Sequence, residues 1–295
     1  MEAETTKAGP THQAMADPVE GVARLADFVA RHRRLFVLTG AGVSTGSGIP
    51  DYRDLDGSWK RRSPIELRDF VHDPLARSRY WARSLIGWRS FGAAEPNAAH
   101  RALARLEALG RIGLLVTQNV DGLHQAAGSH RVLDLHGRLD RVVCRDCGLT
   151  IPRWEWQQRL GRLNPGWLVL NAAIAPDGDA DLEGLDFETF DVPDCPRCGG
   201  LVKPDVVFFG ESVPAWRHER AMAALASADS MLVVGSSLMV FSGFRYARAA
   251  AAAGKPIAAV NLGRTRADDL LTLKVRADVG EALTSVADQF GATVD

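Results

Sequence analysis

Cysteine is scarce in this chain. Only four occur among 295 residues, as two close pairs, Cys144/Cys147 and Cys195/Cys198. So few, so arranged, do not make the dense disulfide framework of a small secreted fold. Long apolar runs are missing too, since none approaches the roughly 20 residues that cross a bilayer as a helix. Net charge is close to nil, −1 from 35 basic and 36 acidic side chains. That balance leaves no global electrostatic footprint for nucleic acid or an acidic lipid surface, and neither is expected as a partner. The opening stretch, MEAETTKAGPTHQAMADP, has no apolar h-region and no arginine. It reads as neither a secretory signal nor a transit peptide. Residues 1 to about 17 are expected to be a disordered tail, and the cytoplasm is the expected location.

What remains is ordinary globular composition, 46% hydrophobic and 24% charged, in a chain long enough for one large domain or a large and a small one. Val22, Leu25, Ala26 and Val29 fall at helical spacing, so a helix over 18–32 precedes the apolar run Leu35–Leu38. That run reads as a strand and leads into TGAGVSTGSGIPDYRD, residues 39–54. Gly40 and Gly42 give G-x-G, but the third glycine comes at Gly46, one position late for the usual dinucleotide pattern. IGLLVTQNVDGLH, SMLVVGSS (230–237) and KPIAAVNLG (255–263) repeat the design, apolar strands running into polar ends. Helices over 97–110 and 242–253 lie between strands. The fold class is therefore α/β, a Rossmann-like open parallel sheet whose ligands bind beyond the carboxyl ends of the strands. It is expected to comprise 18–136 and 205–295, with a helical insertion over about 55–95 and a second module inserted at 137–204.

The two knuckles CRDC and CPRC are each followed by glycine, Gly148 and Gly199. Two thiolate pairs on tight turns supply a closed tetrahedral zinc site, structural rather than catalytic. A thioredoxin-type dithiol would need only one pair. A nucleic-acid zinc ribbon would need more cations than Arg145 and Arg197. The stretch between Cys147 and Cys195 (148 to 194, 47 residues) is long for such a site, so zinc is expected to hold an excursion that includes a loop over 164–184.

GAGVSTGSGIPDYR, TQNVDGLH, LHG (135–137), the paired knuckles, KPDVVFFGE, GSS and VNLG together resemble the sirtuins, in the family's order, from about residue 20 to 290. Tyr52 stands where phenylalanine is commoner. The long segment between the knuckles is similar to the class II, mitochondrial lipoamidase-like branch, and the alanine- and arginine-rich composition suits a bacterial source. The resemblance implies an NAD-dependent protein lysine deacylase that takes acyl-lysine proteins as extended peptides. The acyl carbonyl oxygen attacks C1′ of the nicotinamide ribose and expels nicotinamide. His136, whose type has an ordinary pKa near 6.5, then takes a proton from a ribose hydroxyl, which carries the acyl group away as O-acyl-ADP-ribose.

Further roles come with the resemblance. Gly40, Ala41 and Gly42 would present amides to the pyrophosphate, with Ser44, Pro50, Asp51, Tyr52 and Arg53 in the same cofactor loop. Gln118, Asn119 and Asp121 would grip nicotinamide and its ribose, Asn119 and Asp121 acting with His136 in catalysis. Gly235, Ser236, Ser237, Asn261, Leu262 and Val279 would hold the adenosine half. Val206, Val207, Phe208, Phe209, Gly210 and Glu211 would form the edge strand beside which the peptide adds. Read from the residues alone, Asp51–Asp54 has a solvated turn after Pro50 as its alternative, and 206–211 a plain core strand. Gly46 and Gly48 suit a mobile cover, and His124 is expected to be structural. Tyr80 and Arg83 form Y-x-x-R on one helix face and either line an acyl pocket or pack against Trp88. Transfer of ADP-ribose to protein from the same site is the enzymatic alternative, and a non-catalytic NAD- or zinc-dependent module the other.

Overall fold

The computed structural model describes residues 18–60, 64–170, 172, 177–180, 182 and 184–291. The tail expected over 1–17 and part of the 164–184 loop lie outside them. The described residues form nine strands: β1 (Leu35–Thr39), β2 (Ile112–Thr117), β3 (Val132–Asp134), β4 (Gly137–Cys144), β5 (Thr150–Pro152), β6 (Val202–Val206), β7 (Ser230–Val234), β8 (Ile257–Val260) and β9 (Leu273–Val275).

Six of them make a parallel sheet in the order β3-β2-β1-β7-β8-β9. The chain starts at the centre, runs outward to β3, and later returns to the other side of β1, so the topology reverses between β1 and β7. All five residues of β1 are buried. Leu35 and Val37 join a core with the helices Pro18–Arg31, Ala98–Ala108 and Val279–Gly291, while Phe36 and Leu38 face Ala215–Ser227 and Phe241–Ala252. Cover on both faces is why these strands read as unbroken apolar runs. The three-residue strands β3 and β9 carry too little pattern to be anticipated.

β5, β4 and β6 form an antiparallel sheet. It shares a core with the helix Pro74–Phe91: Trp81 and Leu85 pack with Val142, Ile151, Trp156 and Leu160. The helical segment and the cysteine-bearing segment, read from sequence as separate insertions, are thus one packed unit. Among the described residues no helix is long and apolar enough to cross a membrane.

Arg153, 1% exposed, fastens this unit. It donates to the Ser84 carbonyl (3.1 Å), the Ser84 hydroxyl (3.2 Å) and Gln157, whose amide in turn donates to the Leu85 carbonyl (2.7 Å). The guanidinium lies 4.9 Å from the Trp88 ring centroid. Burial lowers its pKa to about 10, so it stays charged at neutral pH. Arg153→Ala is expected to cost about 3 kcal/mol in denaturant unfolding, because it removes charged hydrogen bonds and leaves buried acceptors unpaired. A loss under 1 kcal/mol would show that the arginine does not fasten the unit.

Candidate active site

The ends of β1, β7 and β8 are stitched together by backbone. Gly40 N–H donates to Val234 O (3.2 Å), Gly42 N–H to Gly235 O (2.8 Å), and Gly235 N–H to Val260 O (2.9 Å). A Cβ on Gly42 would lie 2.9 Å from Gly235 O, and one on Gly235 would lie 2.5 Å from Val43 N. Glycine is needed here for loop-to-loop contact. Because two of the three expected phosphate donors already bond to neighbouring strands, the donor reading narrows to Ala41.

Residues 41–48 are two 3₁₀ turns, Ala41–Val43 and Thr45–Ser47, closed by Gly48 at φ 81°. Asn97 caps the helix Ala98–Ala108 and also donates to Val43 O (2.8 Å) and Ser47 Oγ (2.9 Å). The mobile cover expected around Gly46 and Gly48 is therefore a pinned segment. Further on, Arg53 pairs with Trp59 across a short hairpin. Arg53 donates to Gly57 O (2.7 Å) and sits 3.9 Å over the Trp59 ring, Asp51 pairs with Lys60, and Trp59 meets Phe209 edge-on at 5.7 Å.

Asn119 donates both amide protons, to Gly40 O (3.1 Å) and Ser44 Oγ (2.9 Å), leaving its carbonyl oxygen to offer. Ser44 donates onward to Asp121 (2.7 Å), which also accepts from Leu123 N (2.9 Å). Burial raises the Asp121 pKa against these bonds. His136 is held at both nitrogens. Nδ1 lies 2.9 Å from the Gln118 carbonyl and Nε2 lies 2.8 Å from Ser242 Oγ. A carbonyl only accepts, so Nδ1 carries the proton and Nε2 keeps its lone pair. Burial holds the ring neutral, with its pKa lowered to about 4.

His136 O accepts from Val207 N (2.7 Å), tying the following strand end to the histidine, and a Cβ on Gly137 would strike Asp205 O at 2.0 Å. Strand pairing stops at Val206. Glu211 folds the rest into a turn by accepting from Phe208 N (2.9 Å) while pairing with Lys203 (3.3 Å), and Phe209 O already accepts from Leu67 N (2.9 Å). The straight edge strand expected over 206–211 is in fact a strand end plus a turn, with one edge already partnered.

One cavity of about 780 Å³ gathers these groups, within the range of small-molecule sites. Every expected cofactor, catalytic and peptide residue lines it except Pro50. Of the Y-x-x-R pair only Tyr80 does. Arg83 instead clasps the 177–180 segment, its Nε donating to Ala180 O (2.8 Å) and its carbonyl accepting from Ala180 N (2.9 Å). Tyr80 packs edge-to-face with Phe70 and Phe208 rather than against Trp88. His124 lies off the cavity, buried and 2.9 Å from Thr39 Oγ1. Sequence reading missed Trp59, Leu139 and the run Leu238–Ser242, while Asp177 brings the expected 164–184 loop to the cavity. Leu238 at φ 56° is the one non-glycine with positive φ among the described residues, and it turns the chain along the cavity. No sequence motif marks it.

Away from the cavity, Cys144 and Cys198 Sγ are 3.6 Å apart and Cys147 and Cys195 Sγ 3.7 Å, with all four within 4.8 Å of one another. A zinc ion about 2.3 Å from each sulfur would space tetrahedral ligands by ~3.8 Å, so this donor set fits one zinc ion.

The Sir2 family model matches residues 40 to 242, more than half of the chain. The chain belongs to the Sir2 family. It is 63% identical to a Bordetella bronchiseptica protein named NAD-dependent protein deacetylase over 262 residues, 89% of this chain and 96% of that one. It is 64% identical to NAD-dependent protein deacetylase 2 of Bradyrhizobium diazoefficiens over 259 residues, 88% of this chain and 95% of that one. A solved structure described as Sir2 with a p53 peptide and NAD superposes with a TM-score of 0.71 at 30% identity, covering 92% of this chain and 98% of the other.

Elemental analysis of this Sir2-family chain is expected to give one zinc per chain. Cys144→Ser or Cys198→Ser should lose the metal and lower the thermal midpoint. An unchanged midpoint in metal-free protein would rule out a structural role.

Proposed function

We propose that this chain is an NAD-dependent protein lysine deacylase, acting on acyl-lysine in an extended segment of protein. The observation that carries the reading is His136: an imidazole whose tautomer is fixed by the Gln118 carbonyl, with Nε2 on Ser242 Oγ, both residues lining the cavity that the strand-end loops and the 206–211 segment share. NAD, when bound, would supply a ribose carbon that bonds to the acyl oxygen while its bond to nicotinamide breaks and free nicotinamide departs. Everything else is done by the chain.

The pinned glycine turn, Ser44, Pro50 and the Asp51–Arg53 hairpin would hold the cofactor from one side. Gly235, Ser236, Ser237, Asn261, Leu262 and Val279 would hold it from the other. Asn119 would offer its carbonyl oxygen, and the Asn119–Ser44–Asp121 chain keeps that amide oriented. Nε2 would take the hydroxyl proton, with Nδ1–H anchored on the backbone so that the ring cannot turn away. The two-part sheet domain, 18–136 with 205–295, would carry the chemistry, and 137–204 would carry the zinc. Transfer of ADP-ribose to protein is not favoured, as relatives along nearly the whole chain carry the deacetylase name.

Tyr80, Phe91, Leu139, Phe208 and Asp177 line the cavity and Arg83 does not, and this wall would meet the acyl group. Neutral acyl groups fit this wall better than acidic ones, because a carboxylate would meet apolar surface and a like charge.

With NAD and an acetyl-lysine peptide, mass spectrometry is expected to find O-acetyl-ADP-ribose, and His136→Ala to lower turnover by roughly 10²–10⁴. Parent-like turnover in that variant would sink the mechanism. In the parent, kcat/KM for an acetyl peptide should exceed that for a succinyl peptide by at least about tenfold, and Arg83→Ala should leave that ratio in place. A succinyl preference lost on Arg83→Ala would reverse the acyl assignment.

A further inference from the structure

Ser242 stands 106 residues from His136 in sequence and belongs to none of the motifs that define the site, yet its hydroxyl lies 2.8 Å from the nitrogen that must take the proton. With Nδ1 protonated against the Gln118 carbonyl, Nε2 can only accept, so the serine O–H is the donor. The contact is built in. Ser242 is the second residue of the helix Phe241–Ala252, and the next residue, Gly243, lies so close to Gln118 that a Cβ there would sit 2.6 Å from its side-chain amide nitrogen. Gln118 in turn accepts from Ser236 Oγ (2.7 Å). One residue, Gln118, thus fixes the imidazole through its carbonyl and the serine-bearing helix start through its side chain.

We propose that Ser242 is a positioning residue for the base: its hydroxyl fills the place at His136 Nε2 that the reacting substrate hydroxyl must take, and is displaced when that hydroxyl arrives. No bond other than hydrogen bonds changes in this exchange. The serine O–H leaves Nε2, the substrate O–H replaces it, and the proton later taken comes from the substrate. Until then the lone pair is held in line and shielded from water and stray donors. The proposal rests on the deacylase reading above.

The charged groups around the ring act only through space, because both nitrogens are taken. Arg217, on the helix Ala215–Ser227, lies 3.9 Å from Asp205 of β6 and disfavours a charged ring. Arg245, on the serine's own helix, and Asp121 and Glu211, from the other walls, line the same cavity. Removing the serine hydroxyl changes none of these charges. It removes one donor that favours the neutral ring.

The direction of the effect follows. Without that donor the imidazole protonates more readily, so its pKa in the free enzyme rises. Ser242→Ala is expected to move the acid limb of kcat/KM up by about 0.5–1 pH unit, the worth of one neutral hydrogen bond. The limb of kcat should stay put, since in the complex the substrate hydroxyl has already replaced the serine. Ser242→Thr keeps the hydroxyl and should restore the parental profile. Circular dichroism in the same buffers separates a titration from unfolding.

A second measurement does not depend on turnover. In ¹⁵N-histidine-labelled protein at pH 7, the Nε2 resonance of His136, identified by its loss in His136→Ala, should shift in Ser242→Ala and not in Ser242→Thr. A profile and resonance unmoved by Ser242→Ala would overturn the proposal, as would Ser242→Thr behaving like Ser242→Ala. If the parent consumes no NAD with any acyl-lysine peptide, the deacylase reading fails instead, while the nitrogen resonance still decides the serine contact.

Discussion

The site depends on how closely the loops beyond β1 and β7 approach each other. Gly42 N–H reaches Gly235 O at 2.8 Å with no space between them for a side chain. That contact sets where the first 3₁₀ turn starts, and so where Ser44 stands to link Asn119 with Asp121. It also sets where Ser236 holds Gln118, whose carbonyl holds His136. A methyl group at any of these glycines would push the loops apart and loosen every polar group downstream. The topology makes the arrangement possible, because the reversal between β1 and β7 leaves adjacent strand ends with no helix crossing over them.

Much of this was legible because the relevant residues are near neighbours in sequence. The alternation of apolar runs with polar ends marked β1, β2, β7 and β8, whose sides are covered by helices of plain 3.6-residue period. The knuckles were legible because each pair closes its own tight turn, and their meeting in space needed only the assumption of one ion. The glycine loop was found for an incomplete reason. Its spacing announced a ligand turn, while the structure shows Gly40 and Gly42 answering first to a neighbouring strand.

What escaped was long-range. Arg83 and Arg153 are both arginines beside aromatic residues, and nothing local says that one clasps a loop backbone while the other is buried between two helices. The fate of 206–211 was equally hidden, since Glu66 and Leu67, which partner Phe209, lie far earlier in the chain, between β1 and β2. Leu238 offers no signal, because a leucine at positive φ breaks a local preference that only surrounding packing can overrule. Such violations concentrate at sites, and this one borders the cavity.

His136 shows why burial and basicity must be weighed together. A pKa near 4 leaves the ring neutral at pH 7, the form that accepts a proton. Charging it there costs about 4 kcal/mol, three pH units at 1.36 each. An exposed histidine would be the stronger base, but its ring would turn freely and its lone pair would face water. Here the lone pair is fixed in direction and the penalty falls on the charged state alone. Binding is the event able to lift that penalty, by changing what faces Nε2. On the role proposed for His136, this arrangement would couple proton transfer to occupancy of the cavity, and the burial that makes the ring a weak base would also keep it from acting before substrates are in place.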